Sequence, residues 1–196
     1  MAVVEIPQHP EEFFTQFFPA QYEVFKDRYP KGATDGSAAF EVNGVGAWSI
    51  RLVDGKLDVS AGVLPDNVIH IGVSAKDFDE LFVRRTRREL KENGDFTNAT
   101  KDAFRPLFAT PKRKAIAMRS QGTLVLRIDQ DGEKRDLAIT VGGIKPVSPP
   151  RTIVNLPLDT FFDLLATGDS TRLYLTGRLT MEGDAAYALM VGNILK

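Results

Sequence analysis

Two histidines, His9 and His70, are this chain's whole stock of imidazole, and no cysteine accompanies them. Thiolate nucleophiles, disulfides and cysteine-held zinc or iron–sulfur centres are therefore excluded, and a multi-histidine metal site is out of reach. His70 falls on the polar side of a predicted strand with no acidic motif beside it, which reads as structural or exposed. His9 precedes Pro10 near the terminus. Asp129-Gln130-Asp131-Gly132-Glu133 has the look of a calcium loop but lacks its final glutamate and flanking helices, so a hairpin turn explains it better. The sequence also has no Gly-x-Ser-x-Gly elbow, no Gly-x-x-x-x-Gly-Lys phosphate loop and no His-Glu-x-x-His zinc helix. No catalytic residue, no metal ligand and no cofactor is predicted.

What remains is basic and apolar. On a helix, Arg84, Arg87, Arg88 and Lys91 fall at i, i+3, i+4 and i+7, one contiguous stripe. Its functional reading is docking on anionic lipid headgroups, where each cation contributes about 1 kcal/mol. A solvated helix face, with Glu89 and Glu92 nearby, is the plainer reading and weighs more. Nucleic acid is not expected, because no aromatic residues interleave with the stripe and the net charge is −1.

Hydrophobic content of 43% beside 26% charge describes a globular chain. The first residues, Met1 to Pro7, carry no basic leader or long apolar run, and no stretch reaches the ~18 apolar residues of a membrane span. A soluble, cytoplasmic protein is expected. Its oligomeric state is left open.

The elements follow from periodicity. Pro10-Glu11-Glu12 opens a helix carrying Phe13, Phe14, Phe17 and Phe18, which Pro19 should break before a second one with Tyr22, Val24 and Phe25. A loop is expected over 31–37. Strands follow around Phe40 and Val42 and around Trp48 to Leu52. Asp54-Gly55 turns the chain into Leu57, Val59 and Ala61. After the strand Ile69 to Val73, Ser74 caps a helix with Phe78, Leu81 and Phe82 that runs into the basic segment up to Gly94. A short helix around Phe104, Leu107 and Phe108 should precede Pro111. Leu124 to Ile128, the turn Asp131-Gly132 and Leu137 to Val141 make a second hairpin. Ile153-Val154 begins a strand, and Pro157 starts a helix with Phe161, Leu164 and Leu165.

The second half thus repeats the element order of the first. We read one domain over 1–196, with pseudo-repeat halves of about 35–92 and 115–196 and a charged connector over 93–114. The fold class is α+β: a mixed, largely antiparallel sheet with helices mainly on one face.

The clearest pattern is C-terminal: Thr160-Phe161, Leu164-Leu165-Ala166-Thr167-Gly168, Gly177-Arg178-Leu179-Thr180-Met181-Glu182-Gly183-Asp184 and Leu189 to Leu195. In order and spacing this resembles the sterol carrier protein-2 family. Phe40, Trp48 to Leu52, Gly55 and Val68 to Phe78 look like that family's front half. The chain is longer than a typical member, with the charged stretch and a second set of strands between front and back. The resemblance implies a sheet and helices around a lipid tunnel, and non-catalytic binding of a lipid or other apolar ligand, extended to intracellular transfer. Trp48, Phe78, Phe161, Leu164, Leu165, Tyr187, Met190, Val191, Ile194 and Leu195 are the candidate lining. Plain core packing is an equally weighted reading for each. The final helix, light in charge and containing Gly192, would be a gate. The alternative function is a protein-interaction or scaffold module that keeps the fold but fills the pocket.

Overall fold

The computed structural model describes residues 7–26, 37–93, 111–143 and 145–195. The loop expected over 31–37 (except Ser37) and the helix expected around Phe104 fall outside them. Residues 10–25 form one helical rod, α1, in which Pro10–Glu12 and Phe18–Phe25 flank a π-helical turn, Phe13–Phe17. Pro19 does not break it. The π turn just ahead has already replaced the regular hydrogen-bond ladder, so the missing N–H and the ring disrupt no regular turn. Phe13, Phe14, Phe17 and Phe18 are all buried and hold the rod down.

Eight strands follow: β1 (Ser37–Asn43), β2 (Gly46–Val53), β3 (Lys56–Ala61), β4 (Ile69–Ser74), β5 (Gly122–Gln130), β6 (Glu133–Val141), β7 (Thr152–Pro157) and β8 (Thr180–Gly183). They form one sheet in the order β3-β2-β1-β4-β6-β5-β7-β8. Only β1–β4 and β5–β7 are parallel pairs; the rest are antiparallel. Both Asp-Gly turns have positive φ at each residue, 50° and 72° at Asp54-Gly55, 55° and 85° at Asp131-Gly132. That is the type I′ geometry whose twist matches a two-residue hairpin.

Helix α2 spans residues 75–93, again with a π-helical turn, Asp79–Val83, between α-helical segments. Ser74 caps it as expected, its Oγ accepting from the Asp77 N–H at 3.1 Å. Then come α3 (Pro111–Arg119), α4 (Leu158–Thr167), α5 (Ser170–Leu175) and α6 (Ala185–Leu195). Two of these were not expected. α3 begins inside the stretch read as a connector, where consecutive cations masked its helix-forming Ala-Ile-Ala-Met. α5 places Leu173 to Leu175 in a helix, capped by Asp169, ahead of strand β8.

Cross-strand partners share a face of the sheet. The inner face carries Ile50, Ala38, Ile69, Val141 and Gly122 across one row, and the helices bury it. The outer face carries Ser49, Ala39, His70, Thr140 and Thr123 across the next. Two loops cover that polar row: Leu64 N–H and Asn67 Nδ2 donate to Ser49 Oγ, and Val147 N–H donates to Thr123 Oγ1. This is the expected α+β arrangement. In the first half the meander β1–β2–β3 is followed by β4, parallel to β1, and then by α2. In the second half the hairpin β5–β6 is followed directly by β7, parallel to β5, and then by α4, so β3 has no counterpart there.

Candidate functional site

The C-terminal segment is positioned by a few tight constraints. Gly168, at φ 63°, ends α4 in the left-handed conformation. Gly183, at φ 91°, lies so close to the sheet that a Cβ there would sit 2.6 Å from the Arg151 carbonyl oxygen. The next residue, Asp184, starts α6: its Oδ1 accepts from the Tyr187 N–H at 2.9 Å, and its Oδ2 accepts from Arg151 Nε at 2.9 Å. Those bonds to Tyr187 and Arg151 hold the Asp184 carboxyl below the usual carboxylate range. Arg151 also lies over the Tyr187 ring, 4.5 Å from its centre.

Helix α6 carries no charged side chain from Ala185 to Leu195. Tyr187, Ala188, Val191 and Ile194 are buried. Among the described residues its other side does not meet a full partner. Ala186, Leu189, Met190, Asn193 and the edge of Ile194 line an open groove of about 410 Å³, closed opposite by Ile116 of α3. The lining positions recur at helical spacing over eight residue steps, a length of about 12 Å. Gly192 lies within the continuous helix, where a Cβ would come 2.5 Å from Ser170 Oγ. Its missing side chain admits α5 rather than bending α6.

The structure separates the ten candidate residues. Met190 and Ile194 line the groove, and Tyr187 and Val191 form the buried side of the same helix. Phe161 is core, while Leu164 and Leu165 are partly buried against it. Trp48 and Phe78 belong elsewhere: Phe14 of α1 stacks on Trp48 at 4.9 Å and tilts against Phe78 at 5.4 Å. Five strand spacings, about 24 Å, separate β2 from β7 beneath α6. For Leu195 only the backbone is described. Ala186, Leu189 and Asn193 could have been found by continuing the Met190 stripe one turn each way. Ile116 could not, because only the fold brings α3 beside α6.

The basic stripe is also divided. Arg84 is held by Asp79 and Glu80, each at 2.8 Å. Arg87 and Arg88 are exposed, and the Lys91 side chain lies outside the described residues. His70 is fully buried, with Nε2 3.0 Å from Glu41 Oε2 at an angle that makes no hydrogen bond.

An uncharged helix with half-exposed leucine and methionine along a groove is built to meet apolar material. Residues 102–196 match the SCP-2 sterol transfer family. The match supports lipid binding or transfer in general, and the C-terminal pattern read from the sequence lies within it. Similar solved structures include sterol carrier protein 2 from Yarrowia lipolytica in its apo form, 24% identical over 43% of this chain and 75% of that one, with a TM-score of 0.34. Sterol carrier protein 2 like 2 from Aedes aegypti is 13% identical over 60% and 95%, with a TM-score of 0.36. A UbiJ-SCP2 ubiquinone synthesis protein is 11% identical over 94% and 95%, with a TM-score of 0.30. No curated protein matches the chain. Among the described residues no helix is long and apolar enough to cross a membrane.

Proposed function

We propose that this protein binds a lipid or other long apolar molecule, without catalysis, in the groove between α3 and α6, and passes it on between membranes within the cell. One observation carries the reading: α6 is uncharged and, apart from Asn193, apolar on its groove side, yet among the described residues that side faces about 410 Å³ of open space. A helix of that kind is ordinarily covered on every side. The groove falls within the size range of small-molecule sites. Each methylene withdrawn from water contributes roughly 0.8 kcal/mol, so a ten-carbon chain gains on the order of 8 kcal/mol before association costs. Met190, an adaptable thioether, suits chains of varied shape.

In each half a strand returns parallel to the first strand of a hairpin and leads into a helix, which supports a single domain built from repeated halves with β3 added to the first. In the first half the equivalent space under α1 is filled by Phe13, Phe14 and Phe78, which leaves the groove to the second.

The test is titration of purified protein with NBD-labelled stearate and NBD-labelled cholesterol. Saturable binding that is lost on Met190→Trp, which fills the groove, is the expected result. Absence of binding to either probe, with a protein partner recovered instead, would leave the scaffold reading in its place.

A further inference from the structure

The two edges of the sheet are built differently. β8 is four residues long, and only Asp184 separates it from α6. β3, at the other end of the strand order, pairs with β2 through all six of its residues, without a proline or a bulge. Which of its backbone groups point outward follows from the turn. Asp54-Gly55 closes the hairpin in two residues, so Val53 and Lys56 exchange both backbone bonds, as do Arg51 with Asp58 and Ser49 with Ser60. The Gly62 N–H, donating to the Ala47 carbonyl at 2.8 Å, keeps the same phase. Leu57, Val59 and Ala61 therefore aim N–H and C=O away from β2, and no group among the described residues bonds to them.

An open edge of this kind is a template for another strand, and the side chains of β3 select which one. Lys56 and Asp58 are exposed on the outer face. Leu57 and Val59, on the inner face, are only partly buried. Among the described residues the Asp58 carboxylate enters no ion pair or hydrogen bond, and Ser60 Oγ is buried without a partner. Suppose β3 meets β3 of a second copy, antiparallel, on an axis through Val59. Leu57 then lies opposite Ala61 in hydrogen-bonded pairs on both sides of the axis, and Asp58 lies opposite Ser60 twice. Each unpaired carboxylate faces an unpaired hydroxyl, and no like charges are opposed. Moving the axis one residue, to Asp58, would oppose the two carboxylates. Exposed apolar side chains flank the same edge: Val53, paired with Lys56, is 44% exposed, and Val24, on the part of α1 that packs against β3, is 66% exposed.

We propose that the protein is a twofold dimer in which β3 pairs with β3 of a second copy, joining two eight-stranded sheets edge to edge. The partner is this chain and not a foreign peptide, because one strand supplies both halves of the Asp58–Ser60 match in self-complementary positions. The arrangement leaves both grooves free, since α6 packs on β7 at the far end of each sheet. The dimer is thus independent of the lipid-binding reading.

The experiment is light scattering of the full chain during gel filtration at rising concentration. The wild type should reach twice its chain mass of 21.7 kDa. Val59→Pro and Ala61→Pro each remove an outward N–H that no bond within the chain uses. Each should weaken the dimer roughly tenfold or more, with circular dichroism unaltered. Cross-linking reads the register, and the absence of native cysteine keeps it specific. A mixture of Asp58→Cys and Ser60→Cys chains should oxidise to a linked dimer, because opposed non-hydrogen-bonded residues lie about 4.5 Å apart at Cα. Asp58→Cys alone should link far less. A wild type that stays monomeric at every concentration overturns the proposal. So does a dimer that both proline variants, still folded, leave intact, which would place the interface elsewhere. Preferential linkage of Asp58→Cys to itself overturns the register and the match it rests on. Should the proline variants lose their fold, the cysteine mixture decides: linkage supports the β3 pairing and its absence overturns it.

Discussion

The guanidinium carbon of Arg85 lies 3.2 Å from the centre of the Phe162 ring. Arg85 belongs to α2 in the first half of the chain and Phe162 to α4 in the second. The contact therefore ties the two helices that follow the two parallel strand pairs. A cation over an aromatic face contributes about 0.5–2 kcal/mol, more as water is excluded. Phe162→Leu keeps most of the apolar volume and removes the ring, so it should cost about that amount in urea unfolding. The same change in an Arg85→Met background should cost less, because the coupling is already gone.

Trp48 is the chain's single tryptophan, and it packs under Phe14 at the far end of the sheet from α6. Unlabelled stearate bound in the groove should leave the emission maximum of Trp48 unchanged, while it displaces NBD-stearate. A shift in Trp48 emission that saturates with the same affinity would move the ligand to the first half.

His70 makes stability depend on pH. Burial lowers its imidazole from the ordinary value near 6.5, and the Glu41 carboxylate opposes this without overcoming it. The folded state therefore resists protonation more than the unfolded chain does. The contribution is present above about pH 6.5 and is lost as the pH falls through the lower folded value. Urea midpoints measured from neutral pH to about pH 5 should fall for the wild type. His70→Leu, which cannot titrate and removes the unpartnered buried Nδ1, should flatten part of that slope. Equal slopes in the two proteins would show that His70 is not the group responsible.

Gly183 holds the entrance to α6. With φ at 91° and the Arg151 carbonyl in the way of any Cβ, Gly183→Ala should destabilise by about 1–3 kcal/mol. The displaced residue is adjacent to Asp184, whose carboxylate caps α6. NBD-stearate affinity should therefore fall along with stability, whereas Gly132→Ala, at φ 85° in a remote hairpin with open space around it, should cost stability alone.

Much of the architecture was legible from local chemistry. Both Asp-Gly turns, the Ser74 cap, the alternating strands and the one-sided helices follow from backbone preference and from period-two or period-3.6 patterning, which need no knowledge of distant residues. Pro19 misled because the π turn that accommodates it is held in place by phenylalanines packed on the sheet. α3 was hidden by consecutive lysine and arginine residues that suggest a solvated connector.

Residue types along the final helix determined that it is uncharged and that Met190 and Ile194 share a stripe. Whether that stripe meets protein or open space is not a local property. It depends on the strand order, which places Trp48 and Phe78 at the opposite end of the sheet and brings Ile116, some seventy positions earlier in the chain, across from Leu189. Pairing between β4 and β6, β5 and β7 sets those distances, and among the described side chains of α3 it is Ile116 that reaches the groove.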